Sequence, residues 1–155
     1  GAFAEGVVGV GALKNPEGVA ALPNGRGLLV ADRGNRRIRV VTLDSGFLST
    51  LAGSGDDGDQ DGTGTRATFS SPASVAVSPG GGVAIVCDEA ERGRLRQISL
   101  TTYEVTTLSY REFGLAGSGI FPTAVAFSPD GESAYALERN LVLGIDVRTG
   151  CAKLV

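Results

Sequence analysis

The chain has no histidine, no tryptophan and no methionine, and only two cysteines in 155 residues. Without histidine it cannot assemble a Ser-His-Asp or Cys-His nucleophile, and the commonest zinc ligand is missing. Cys87 and Cys151 are too few and too far apart to form a disulfide framework. Each sits in an apolar strand pattern, so both are expected to be buried free thiols, which leaves the compartment open. No apolar run approaches the roughly 18 residues that span a bilayer, so no membrane insertion is expected. The apolar start, residues 1–13, has no basic flank and does not read as a signal peptide. The lack of an initial methionine predicts a processed or excerpted chain.

Glycine is abundant, at 24 residues, against an average usage of about 7%. With 42% hydrophobic residues and a net charge of −3, the chain is globular rather than disordered. The acidic balance argues against a phosphate-backbone partner. Glycine at this density points to many short strands joined by tight turns.

An internal repeat organises these turns. Pro16-Glu17-Gly18-Val19-Ala20 recurs as Pro72-Ala73-Ser74-Val75-Ala76 and as Pro122-Thr123-Ala124-Val125-Ala126, with prolines 56 and then 50 residues apart. Each copy runs into a turn, at Pro23-Asn24-Gly25, Pro79-Gly80-Gly81 and Pro129-Asp130-Gly131, where proline presets one backbone angle and the residue behind it tolerates the left-handed one. Second strands are predicted at 27–32, 83–88 and 133–138, each ending in an acid: Asp32, Asp88 and Glu138. Third strands are predicted at 37–43, 94–100 and 141–147, the first two opening on Arg37 and Arg94. Fourth strands are predicted at 47–51, 104–108 and 151–155. Leu51-Ala52-Gly53-Ser54-Gly55 reappears as Leu115-Ala116-Gly117-Ser118-Gly119. Four short strands per unit with glycine-rich turns is the signature of a propeller blade.

The residues Pro16 to Ala20, then Val30-Ala31-Asp32-Arg33-Gly34-Asn35-Arg36-Arg37-Ile38-Arg39, then Ala52-Gly53-Ser54-Gly55, resemble the NHL repeat. The second unit keeps Asp88 and Arg94 but lacks the asparagine. The third has Glu138 for Asp and Leu141 for Arg. The resemblance implies an all-β fold: a partial β-propeller of about three four-stranded antiparallel NHL-type blades. Residues 1–13 are expected as the tail strand of a preceding blade. Blade 1 is then 14–69 with a long Gly/Asp exit loop, blade 2 is 70–119, and blade 3 is 120–155, cut short. Both ends are expected to lie inside a longer array, leaving open blade faces for further blades or a protein partner.

The repeat-structural positions are Pro16, Gly18, Asp32, Arg37, Pro72, Asp88, Arg94, Pro122 and Glu138. Asp32, Arg33, Asn35 and Arg36 bracket a hairpin, and such hairpins line one propeller face, so these four are the binding candidates. Asp57, Asp59 and Asp61 mimic the first half of a Ca²⁺ loop, but the twelfth position is Thr68 rather than glutamate. A solvated loop is therefore expected, with no metal and no cofactor. Arg33, Arg36, Arg37 and Arg39 form the densest basic cluster, but they alternate along the chain and cannot share one face, so nucleic acid is not expected. Some members of the resembling family are metal-dependent lyases with channel histidines, which this chain does not have. The expectation is a non-catalytic protein-interaction or assembly scaffold within a larger protein. The alternatives are an extracellular carbohydrate- or Ca²⁺-linked recognition module and an RNA-binding propeller.

Overall fold

The structure is a computed structural model, and it describes residues 4–7, 12–89, 93–110 and 121–155. Where proline fixes the entry and an apolar run follows, a strand forms. The first sheet contains β1 (Gly6–Val7), β2 (Pro16–Ala21), β3 (Gly27–Asp32), β4 (Arg37–Thr42) and β5 (Phe47–Ala52), in the spatial order β1-β5-β4-β3-β2. The second contains β6 (Gly62–Thr63), β7 (Pro72–Val77), β8 (Val83–Asp88), β9 (Arg94–Ser99) and β10 (Glu104–Thr107), ordered β6-β10-β9-β8-β7. The third repeats the plan with β11 (Ser109–Tyr110), β12 (Pro122–Phe127), β13 (Ser133–Glu138), β14 (Leu141–Asp146) and β15 (Cys151–Leu154). Neighbouring strands are antiparallel, except that β11 runs parallel to β15.

Each blade thus holds the four expected strands plus a two-residue strand on its outer edge. This moves three assignments, one of them Ser109–Tyr110, expected in blade 2, which pairs with Cys151 and Ala152 of blade 3. Gly6–Val7, expected in the tail of a preceding blade, pairs with Leu48 and Phe47 in the first blade's own sheet. Gly62 and Thr63, expected in the exit loop of blade 1, pair with Val105 and Glu104 of blade 2. The reason is geometric. The chain returning from one blade passes the outer strand of the next, and its backbone groups pair there instead of staying exposed. The second copy of the Ala-Gly-Ser-Gly motif, residues 115–119, lies outside the described residues.

The period of two along each second strand divides the core. In β8, Ala84 and Val86 join a cluster with Leu29, Ala31, Ile38 and Phe69, between blades 1 and 2. Ile85 and Cys87, on the opposite face, join Ala134, Ala136, Leu143 and Ile145, between blades 2 and 3. The central sheet is therefore apolar on both faces, as a strand buried on both sides must be.

Small residues on the inner strands set how closely the blades approach. A Cβ on Gly18 would lie 2.6 Å from the Ala73 carbonyl oxygen and 2.9 Å from the Ser74 Cα. Both are backbone atoms and cannot swing aside. Gly18→Ala is expected to destabilise the fold by about 1–3 kcal/mol through overpacking. Urea unfolding should show a lower midpoint with an unchanged slope.

Candidate functional site

The ionisable residues singled out by sequence gather on the rim where the hairpins after β3, β8 and β13 meet the linkers between blades. Two of the four binding candidates are not on the surface. Asp32 is fully buried, and Asn35 nearly so. The Lys14 amide donates to Asp32 Oδ1 at 2.7 Å, and Asn35 Nδ2 donates to Asp32 Oδ2 at 2.8 Å. Asn35 Nδ2 also donates to the Ala12 carbonyl at 3.2 Å. Arg39, equally buried, donates from Nη1 to Asp32 Oδ2 at 3.2 Å and from Nη2 to the Ala4 carbonyl at 2.9 Å. Backbone groups of Ala4, Ala12 and Lys14 thus serve as partners, so these polar groups bind backbone rather than solvent.

Blade 2 rebuilds the same clamp without the asparagine. The amides of Ser71 and Ser70 donate to Asp88 at 2.5 and 3.1 Å. Arg96, fully buried, occupies the register position of Arg39. It donates from Nη1 to the Thr68 carbonyl at 2.9 Å, and from Nη2 to the Gln60 carbonyl and to Asp61 Oδ1, each at 3.0 Å. Thr68 corresponds to Ala12, so Arg96 takes the carbonyl that Asn35 holds in blade 1. The guanidinium also lies 5.1 Å from the ring centre of buried Phe69. Burial pushes the Asp88 carboxyl above its ordinary range, opposed by the Ser71 and Ser70 amides and by Arg96. In blade 3 the acid is one methylene longer. Glu138 accepts from the Phe121 amide at 2.7 Å, and Leu143 stands where the arginines stood.

The loop aspartates do not converge on a cation position. Asp57 pairs with Arg36 at 3.5 Å, Asp59 with Arg94, and Asp61 with Arg96. Asp61 also accepts from the Thr107 amide and hydroxyl, at 3.1 and 2.8 Å. Among the described residues, no group of three or more acids or cysteines is arranged to hold a metal ion. The four clustered arginines likewise diverge. Arg33 pairs with Glu17 and with Glu89 at 3.7 Å and donates to Ser71 Oγ at 2.6 Å, so it ties blade 1 to blade 2. Arg37 donates to the carbonyls of Asn35 and Ser54. It thereby fastens the Ala-Gly-Ser-Gly bend, where Gly53 and Gly55 adopt φ +101° and +96°. Sequence reasoning missed that Arg39 and Arg96 are buried. Their signal was the recurrence of a second Arg two residues after the one that faces the terminal acid, at Arg37-Ile38-Arg39 and Arg94-Leu95-Arg96.

Cys87 is buried, whereas Cys151 is partly exposed, which corrects the expectation of two buried thiols. Burial pushes the Cys87 thiol up to about 12, and the charge of Glu89 adds to this. A thiolate is the reactive form, so Cys87 is expected to resist labelling in the native state. A disulfide reagent at pH 8 should modify Cys151 alone. The second thiol should appear only in denaturant.

With this geometry in view, three comparisons bear on the chain. The NHL repeat family profile matches residues 13–41, which hold β2, β3, the Asp32–Asn35 hairpin and most of β4. No curated protein matches significantly. Among solved structures, the hydrazine synthase of Kuenenia stuttgartiensis superposes with a TM-score of 0.65 at 20% identity, covering 90% of this chain and 37% of that one. The chain therefore spans little more than a third of that protein. Since 721 solved chains match significantly, the likeness speaks for the fold and not for one activity. Among the described residues, no helix is long and apolar enough to cross a membrane. The chain carries an NHL repeat at residues 13–41 and folds as a partial β-propeller of three blades.

Proposed function

We propose that the chain is a non-catalytic scaffold, a stiff stack of propeller blades whose third-blade face receives a protein partner or further blades. One observation carries this reading. In blade 2, Ile85 and Cys87 are fully buried under blade 3. The same register positions in blade 3 are Tyr135 and Leu137, and these are 44% and 50% exposed. Val142, the counterpart of buried Leu95, is also exposed. The third sheet thus keeps apolar residues at the positions that receive another blade. A contiguous exposed apolar face of this kind marks an interaction surface. The polar rim supports the same reading, because its buried acids and arginines hold linkers in place. Stiffness of that sort lowers the ordering cost of binding.

The test is Leu137→Asp at nanomolar concentration, where self-association is suppressed. The wild-type chain should bind an apolar fluorescent dye, and the variant should lose most of that signal with an unchanged thermal midpoint. A midpoint that drops as it would for a core residue, or dye binding that does not change, would overturn the reading.

A further inference from the structure

We propose that the cleft between blades 1 and 2, on the rim opposite the hairpins, binds a small uncharged molecule with a two-ring apolar body and one hydrogen-bond acceptor. Both walls belong to five-stranded sheets, and no residue of either chain end lines the cleft. Its volume is about 360 Å³, against about 150 Å³ for a cavity that holds one benzene ring. Leu22, Pro23, Val40 and Leu51 of blade 1 line it together with Leu100 and Tyr103 of blade 2. Among the described residues, no charged side chain lines it. At the junction of blades 2 and 3, the cleft on the same rim is lined by Glu132, Asp146 and Arg148. The apolar character therefore belongs to this junction and not to the repeat.

Two residues of this cleft break the repeat, and each gives up a local stabilising feature. In blades 2 and 3 the first turn opens on Ser78 and Ser128, whose hydroxyls accept from the Val83 and Ser133 amides at 3.1 and 3.0 Å. Blade 1 has Leu22 there, which can accept nothing. Its Cδ1 lies 3.0 Å from the Cβ position of Gly27, which stands where the other blades have Val83 and Ser133. The turn between the third and fourth strands is left-handed at Gly46 and Gly150, with φ +63° and +65°. Blade 2 has Tyr103 at that position, at φ +60°. Tyrosine is strained in this region and glycine is not. The backbone gains nothing from the exchange: the Tyr103 amide donates to the Ser99 carbonyl at 2.8 Å, as that of Gly150 does to Asp146 at 2.9 Å. What tyrosine adds is a half-exposed side chain at the cleft. Local rules broken together at one place mark a functional site.

The lining sets the ligand. Aliphatic walls and the Pro23 ring favour an apolar body, and an ion would lose its hydration with no opposite charge to offset it. Two side chains can donate to an acceptor. The Tyr103 hydroxyl is one. Asn24 also lines the cleft, and its Oδ1 already accepts from the Arg26 amide at 2.9 Å, so its side-chain nitrogen is the atom left to meet a ligand. A cleft of this size, with apolar walls and few polar groups, suits a small molecule. It shares no residue with the third-blade face, so the two readings stand or fall separately.

Coumarin, an uncharged two-ring lactone with a carbonyl acceptor, is the probe, followed through the backbone amide NMR shifts of the full chain. Saturable shifts are expected at Leu22, Gly81, Leu100 and Tyr103, with a Kd of about 1 mM or tighter for a ligand of about 11 heavy atoms. Coumarin-3-carboxylate should bind about tenfold more weakly or worse. Tyr103→Phe should weaken coumarin about threefold to tenfold by removing one donor. Tyr103→Gly should weaken it about tenfold or more, while its thermal midpoint equals or exceeds that of the wild type because the strain is relieved. A lower midpoint for Tyr103→Gly would assign the ring to holding the two blades together and overturn the proposal. An unchanged Kd in that variant overturns it too, as does the lack of a saturable shift at about 10 mM coumarin. Shifts centred on Tyr135 and Leu137 would move binding to the third-blade face, which overturns the cleft and leaves the scaffold reading standing. Leu137→Asp should leave the coumarin Kd unchanged.

Discussion

Replacing Arg96 by alanine is expected to destabilise the fold by about 3–5 kcal/mol, the range for removing one partner of a buried charge pair. The arginine is fully buried and meets the Thr68 and Gln60 carbonyls, Asp61, and Asp88 at 3.7 Å. Alanine removes all of these partners at once. It leaves a buried carboxylate at Asp88 without its nearest cation, the Thr68 carbonyl without this donor, and the Gln60 carbonyl with the Thr68 amide alone. Burial already raises the Asp88 carboxyl above its ordinary range, and Arg96 works against that rise. An acid whose folded pKa lies above its unfolded value stabilises the fold fully below the unfolded pKa. It loses that contribution as pH rises through the folded value. Without Arg96 the folded pKa rises further, so the loss at neutral pH grows, while at low pH the protonated acid needs no cation. The cost of Arg96→Ala should therefore shrink between pH 7.5 and pH 4. Urea titrations of both proteins at the two pH values measure this directly. An equal cost at both would show that Arg96 acts through the linker carbonyls alone.

The contrast between Arg96 and its neighbours shows how much the sequence could reveal. The strands β3, β8 and β13 were legible to the residue, because each is bracketed by a Pro/Gly turn and a terminal acid. The strands β1, β6 and β11 were not. Two residues of Gly-Val, Gly-Thr or Ser-Tyr carry no periodicity, and only the backbone of an adjacent strand makes them strands. Asp57, Asp59 and Asp61 have a spacing that suggests a cation. Their partners are arginines from two different blades, and no spacing rule brings those together. Asp32 and Asn35 read as hairpin surface because local sequence cannot report that the backbone of Ala12 and Lys14 meets them. Their burial follows from Lys14 and Ala12, which lie in the linker. The blade plan was thus written locally, and the clamp was written between blades.

Phe69→Ala is expected to cost about 3–5 kcal/mol, the range for deleting a buried phenylalanine ring. Phe69 is fully buried in the cluster between blades 1 and 2, with Leu29, Ile38, Val86 and Ile98. It comes from the linker and not from either sheet, so its ring wedges the two blades together. Its Cδ2 lies 3.1 Å from the Cβ position of Gly53, whose left-handed turn excludes a side chain there. The opening left by alanine cannot close easily, because Gly18 and Ser74 already hold the inner strands at backbone contact. The loss should also reach Arg96, which sits over the ring and would face a void. The double variant Phe69→Ala with Arg96→Ala should therefore cost less than the two single losses combined, since each removes part of the same contact. A double-mutant cycle in urea measures the shortfall. Strict additivity would mean that the ring and the guanidinium hold the blades independently, with the linker clamp and the inter-blade core as separate devices.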